Sequence, residues 1–201
     1  LNLLVEEGLA RVVPRVEYFV VAITAKDVED IFDVRKMCEL YAMDRAIRRL
    51  TDAEIDSLEQ RLLSTMALPD PRERETVFRD VDSEFHSELI ARSGNRRLQQ
   101  IADRIYVFVR LMRHLNDRTD AAMEEHLAII RAMRRRDAEE AKRLLAEHID
   151  NVQAAILEGL GARLSLGGGS AGRDRPNLDD VSPISHDGSR ALIDLASRSD
   201  V

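Results

Sequence analysis

The chain has one cysteine, no tryptophan and no long apolar run. A lone Cys38 excludes an internal disulfide framework, and such sparing use of cysteine suits a reducing compartment, here taken as the cytoplasm. No apolar stretch approaches the roughly 20 residues needed to cross a bilayer, so no membrane partner is expected. No secretory signal is visible. Positive charge is in deficit: 30 Lys and Arg stand against 37 Asp and Glu, for a formal net charge of -7. That balance argues against a large basic nucleic-acid surface among these residues. Aromatic residues make up only 4%, and Gly and Pro are few outside the ends. What remains is dominated by Leu, Ala, Arg and Glu, a composition that favours helix. With 201 residues, 44% of them hydrophobic, the chain can bury one good core with a small second unit beside it. It lacks an initiator Met and opens with "LNLLVEEGLA", the pattern of the inside of an amphipathic helix, so a preceding segment is expected.

Three regions separate by composition. Residues 1–25 read as a helix end with Gly8 as C-cap, then a two-stranded hairpin in "ARVVPRVEYFVVAIT", interrupted by Pro14. Residues 26–164 read as helical throughout. Val28, Ile31, Phe32, Leu40 and Ile47 mark a long first helix. "TDAE" at 51–54 is a capping box that opens a second, with Thr51 as N-cap and Glu54 at N3. "LPDP" at 68–71 breaks the chain before a third helix from about Glu73 to Ser93. Gly94 stops that helix, and Asn95 caps a fourth through Leu98, Ile101, Ile105 and Met112. A fifth spans about Asp120 to Arg135 and a sixth about Ala138 to Gly161. Short connections predict antiparallel packing. The fold class is therefore all-α, an antiparallel bundle of about six helices. Residues 165–201 are rich in Gly, Ser and Asp and bury too little to offset chain entropy, so a disordered tail is expected. Cys38 reads as a small buried hydrophobe on the first helix.

The bundle carries polar residues on its apolar stripes. Asp82 and His86 are four apart and share a face with Phe78, Phe85 and Leu89. His126 lies with Met123, Leu127, Ile130 and Met133, and His148 with Ala141, Leu145, Val152 and Ile156. His114 falls off its helix's stripe and is expected at the surface. Each inward polar group without a partner costs about 1–3 kcal/mol, so something must satisfy the four. Three imidazoles and a carboxylate are a normal donor set for zinc, and also suit nickel, manganese or iron. Hydrogen-bonded core histidines and a plain Asp82–His86 pair are the other reading, and spacing alone does not decide. Arg35 shares a stripe with Ile31, Cys38 and Ala42. It reads either as the partner of Glu39 at i, i+4 or as an inward guanidinium for a carboxylate. Tyr106, Arg110 and Arg113 either line a cavity or lie at the surface with snorkelling stems. The run "RRRD" at 134–137 reads as a cationic helix C-terminus.

"DVEDIFDVRKMCELYAMDRA", "VDSEFHSELIARSGNRRL" and "EEHLAIIRAMRRRDAEEAKRLLAEHI" resemble the effector-binding FCD domain of FadR-type regulators in the GntR superfamily. "LNLLVEEGLARVVPRVEYFVV" is similar to the end of that superfamily's winged helix-turn-helix, and the wing lacks the usual Gly between basic residues. The count of six helices resembles the VanR-like branch. The resemblance, over about residues 1–160, implies a DNA-binding domain truncated to residues 1–25 and a helical domain over 26–164. That domain would bind a divalent metal, zinc first among the choices, through Asp82, His86, His126 and His148. A small organic acid effector would bind beside it, with Arg35, Tyr106 and Arg110 as candidate contacts. The resemblance further implies a homodimer that binds operator DNA through the complete winged domain, with an affinity the acid changes. Two other readings stand beside this one. A metalloenzyme could activate water at such a centre, but no general base is recognisable beside the four ligands. A purely structural dimerisation module would need only a plugged polar core.

Overall fold

A computed structural model describes residues 10–13, 17–20, 23–115 and 118–167. The expected N-terminal helix end, the hairpin turn and nearly all of the expected disordered tail lie outside these residues. Two units are distinguished. The first contains an antiparallel hairpin, β1 (Ala10–Val13) and β2 (Glu17–Val20), with Ala10 opposite Val20 and Val13 opposite Glu17. This is the pairing expected of two short Val-, Tyr- and Phe-rich runs.

The second unit is a bundle of six α-helices. They are α1 (Ala25–Arg49), α2 (Asp52–Met66), α3 (Pro71–Arg92), α4 (Arg96–Met112), α5 (Thr119–Arg134) and α6 (Ala138–Gly167), with a 3-10 turn at Arg113–Leu115. Their starts follow from local chemistry. Thr51 and Glu54 complete the capping box at α2. Asp70 caps α3, with Pro71 in the first turn, where a missing N–H costs nothing. Asn95 accepts from the N–H groups of Arg97 and Leu98 at the start of α4. Gly94 ends α3 in the left-handed region at φ 69°, and a Cβ there would lie 2.2 Å from Arg49 Nη1. Arg49 needs that room, because its guanidinium donates to the carbonyls of Arg92 and Ser93 at the end of the same helix.

α3 lies at the middle of the bundle and packs against α1, α2, α4 and α5. The core is apolar, with Phe32, Phe85, Met43, Leu89, Ile129, Met133, Leu145 and Ile149 among its fully buried side chains. Cys38 is buried with Ala42, Ile90, Leu98 and Ala102, as expected of it. His114 is exposed.

Three expectations need correction and a fourth is extended. The buried face of α4 is Leu98, Ala102, Val109 and Met112, and Ile101 is exposed. The small Ala102 lets α4 approach its neighbour, which turns Ile101 outward. On α1 the inward position is Glu39 rather than Leu40, because ion-pair and hydrogen-bond partners wait for it inside. α6 continues past Gly161 to Gly167. One glycine costs a helix only about 1 kcal/mol, which the surrounding Leu, Ala and Arg tolerate. "RRRD" is more than a cationic helix end. Arg134 pairs with Asp56 and Glu59. Arg136, left-handed at φ 58°, donates to the carbonyls of Ile47 and Leu50 that close α1.

Candidate metal and effector site

The three stripe histidines and Asp82 meet at one point inside the bundle. One ligand atom from each of Asp82, His86, His126 and His148 lies within 4.8 Å of all the others. His86 Nε2 is 3.3 Å from His126 Nε2, and Asp82 Oδ1 is 3.5 and 3.4 Å from those two nitrogens. Donors about 2.1 Å from a common ion lie roughly 3–3.5 Å apart at neighbouring positions. These separations fit a divalent ion.

The second nitrogen of each ring explains why the first points inward. His86 Nδ1 donates to Glu39 Oε2 at 2.6 Å, His148 Nδ1 to Glu125 Oε2 at 2.8 Å, and His126 Nδ1 to the Ala122 carbonyl at 2.7 Å. A carboxylate or carbonyl can only accept, so all three Nδ1 atoms carry the proton, and in a neutral ring the Nε2 atom then presents its lone pair. Such outer partners are the usual way to hold a metal-binding imidazole in one tautomer. His148 Nε2 is buried and has no hydrogen-bond partner among the described residues. The rings are held from the side by Phe85 and Phe78, each edge-on to His126.

The outer partners are themselves fixed. Glu39 is wholly buried. It also accepts from Arg35 Nε at 2.8 Å and from the Tyr106 hydroxyl at 3.1 Å. Glu125 is held by Arg118 and Asn151, and Asp82 by Arg113. Burial pushes each carboxyl up, but it is outweighed by Arg35 and His86 at Glu39, by His148 and Arg118 at Glu125, and by His86 and Arg113 at Asp82. Glu39 and Glu125 fall to about 2, and Asp82 drops well below the carboxylate range. Burial also pulls the imidazoles down. With His148 nearby it takes His126 to about 3, and His148 is lowered as well, by burial first. For His86, burial is outweighed by Glu39, which raises it. Yet Arg35 Nη2 lies 3.0 Å from His86 Nε2, and two N–H donors cannot face each other at that distance. The geometry is that of the neutral ring.

A pocket of about 560 Å³, counting its open mouth, reaches this cluster. Arg35, Asp82, Arg113, Arg118, Thr119 and His148 are in its walls. Arg35 makes the expected pair with Glu39 and also faces the cluster. Tyr106 and Arg110 line a separate, smaller pocket beside His86. Tyr106 reaches the cluster through Glu39 and through the His86 carbonyl, which accepts from its hydroxyl at 3.3 Å, and Arg110 is not brought to it. Arg113, read from sequence as a cavity or surface residue, holds Asp82. Glu125 and Arg118 were missed, because Glu124 and Glu125 both precede His126 and only the packing of α5 on α6 selects the second.

The fold and the cluster define an all-helical module with a polar centre. The profile of the FCD domain matches residues 30–151, and the chain belongs to that family. It is 25% identical over 155 residues to the uncharacterized HTH-type transcriptional regulator YdhC of Bacillus subtilis (strain 168), covering 75% of this chain and 69% of the relative. It is 27% identical over 159 residues to the Nta operon transcriptional regulator of Aminobacter aminovorans, covering 79% and 75%. Among solved structures, the metal-free FCD domain of TM0439 superposes with a TM-score of 0.63 at 23% identity, covering 71% of this chain and 99% of that one. Its Zn2+-bound form gives 0.61 over the same shares. These relatives are regulators of transcription rather than enzymes, and they lend no support to the metalloenzyme reading. No helix among the described residues is long and apolar enough to cross a membrane.

Proposed function

We propose that this chain is the sensing part of a GntR-superfamily transcription regulator of the cytoplasm, in which a divalent metal and a small carboxylate together modulate operator binding. One observation carries the reading: three lone pairs and a carboxylate oxygen converge inside the bundle, each imidazole locked by its own acceptor. Asp82, His86, His126 and His148 would hold the ion, with zinc the first choice, since the Zn2+-bound relative shares the fold. The ion would supply positive charge for the carboxylate. The protein's own charges around the cluster balance: Asp82 with Arg113, Glu39 with Arg35, and Glu125 with Arg118. Adding a divalent ion leaves the site positive and suited to an anion. Arg35, in the wall of the same pocket, would bind that anion, with Tyr106 acting through Glu39 and Arg110 from the side.

The winged domain would contact DNA through segments that precede the hairpin, with the hairpin as its wing. A homodimer is proposed because paired operator half-sites call for two winged domains related by a twofold axis. The acid can shift operator affinity only by binding one arrangement of that dimer better than another. Native mass spectrometry of gently purified protein reports metal, co-purified acid and oligomeric state at once. Calorimetry of metal-loaded protein with small mono- and dicarboxylates then tests the effector. Protein that takes up no divalent metal refutes the metal site, and metal-loaded protein that binds none of the acids refutes the effector class.

A further inference from the structure

Arg35 occupies the lone pair that a metal on His86 would need. Its Nη2 lies 3.0 Å from His86 Nε2 while its Nε donates to Glu39 Oε1 at 2.8 Å. Because Nδ1 of the same ring gives its proton to Glu39, Nε2 offers a single lone pair and Arg35 donates into it. A lone pair serves one strong acceptor bond at a time, either N–H or metal ion. A guanidinium also keeps its charge at any ordinary pH, so it cannot stay there as a neutral spectator. Arg35 is only 3% exposed, and the bond from its Nε to Glu39 holds it in place.

We infer that Arg35 is a built-in competitor for the metal, seated on His86 Nε2 and obliged to give up that bond before a divalent ion can take the nitrogen. This rests on the metal reading above. It gives the site a reason to carry an arginine where repulsion between like charges would otherwise exclude one. The donor released from His86 belongs to a side chain that already lines the pocket. An anion accepting it would favour the metal-bound arrangement, and the metal would favour the anion in equal measure.

The test uses the full chain stripped with a chelator and given Zn2+ alone, at mildly alkaline pH, with affinity read against a chromophoric chelator. Wild type is compared with Arg35→Met, Arg35→Lys and Arg79→Met. Arg79 lines the same pocket but pairs with Glu75 instead of an imidazole, so its variant measures the effect of nearby charge alone. Arg35→Met is expected to raise Zn2+ affinity roughly tenfold to a hundredfold, the equivalent of one charge-assisted hydrogen bond. It should also shift the 15N resonance of His86 Nε2 in the metal-free protein. Arg35→Lys, whose single ammonium cannot serve Glu39 and Nε2 in the same fork, should fall between wild type and Arg35→Met, and it carries the test if the Met variant folds poorly. Arg79→Met should change affinity by less than about threefold. Unchanged or weaker Zn2+ binding in the Arg35 variants, or an equal gain in Arg79→Met, overturns the competitor role. Failure of wild type to bind Zn2+ at all overturns the metal site instead.

Discussion

Replacing Glu39 with Gln tests how the site is held. Glu39 is 0% exposed and accepts from three donors: His86 Nδ1, Arg35 Nε and the Tyr106 hydroxyl. The amide keeps the shape but has one acceptor oxygen where the carboxylate has two. Its NH2 group must therefore face either the His86 N–H or the Arg35 and Tyr106 donors. The guanidinium of Arg35 also loses its buried counter-ion. Each charge-assisted hydrogen bond contributes about 1.5–3 kcal/mol, and breaking a buried ion pair from one side costs about 3–5 kcal/mol. We expect a loss of about 3–5 kcal/mol from a typical total of about 5–15 kcal/mol. Urea unfolding of chelator-treated protein measures it. The exposed Glu147→Gln, whose ion pair among the described residues is with Arg143 on its own helix, serves as control and should change stability by no more than about 0.5 kcal/mol. A second effect follows. If the new NH2 donates to Nδ1, the ring must move its proton to Nε2, which removes a metal ligand. Metal affinity should then fall about tenfold to a hundredfold. A stability loss under about 1 kcal/mol together with unchanged metal affinity would refute this account of Glu39.

His148→Ala should lower metal content. It should also cancel the rise in melting temperature on adding Zn2+, a rise that corresponds to about 2.7 kcal/mol at a hundredfold excess of metal over Kd; an undiminished shift would remove His148 from the site. Sedimentation of the chain at micromolar concentration should show a dimer, and monomer alone would count against the paired-domain mechanism. Gly94→Ala should cost about 1–2 kcal/mol in chemical denaturation, because it puts a Cβ into the left-handed region and against Arg49. A neutral result would mean that Arg49 swings away without loss of its bonds to the end of α3.

Helix starts were legible because caps are local. Thr51, Glu54 and Asn95 each satisfy backbone groups within a few residues, so sequence spacing contains the whole interaction. The inward placement of His86, His126 and His148 was legible for the same kind of reason, since each lies in register with apolar neighbours on one helix. Ile101 and Leu40 show where periodicity stops helping. A stripe about 100° wide has edges, and which edge residue turns in depends on the neighbouring helix. Ala102 and Glu39 settle that choice by what they meet across the interface. The partners of the histidines were beyond reach. Glu125 is paired to His148 across 23 positions and Glu39 to His86 across 47, and no local rule encodes those distances. Arg136 was hidden for a different reason: a non-glycine left-handed residue is uncommon, and here it is stabilised by bonds to the distant end of α1.

Six charged groups around three imidazoles are a costly way to fill a core, and the balance of terms shows what they achieve. A buried ion pair roughly breaks even against desolvation when its remaining donors and acceptors are satisfied. Glu39–Arg35 therefore contributes little net stability, and the partly exposed Asp82–Arg113 and Glu125–Arg118 pairs contribute little because solvent screens them. Their effect is directional. Each carboxylate partner of a ring fixes one tautomer, and the Ala122 carbonyl does the same for the third, so all three Nε2 lone pairs are aimed before any ligand arrives. Two of those lone pairs lie 3.3 Å apart, an arrangement that two neutral rings would avoid if left free. The third, on His148, has no hydrogen-bond partner among the described residues and costs about 1–3 kcal/mol while it stays that way. A cation at the centre would remove both penalties together. It would accept three lone pairs that already converge, with little reorganisation of the rings. The same pre-aimed geometry confines Arg35 to the one nitrogen it can reach. Substitutions at Glu39 and at Arg35 should therefore move metal affinity in opposite directions, down for the first and up for the second, although both residues belong to a single ion pair.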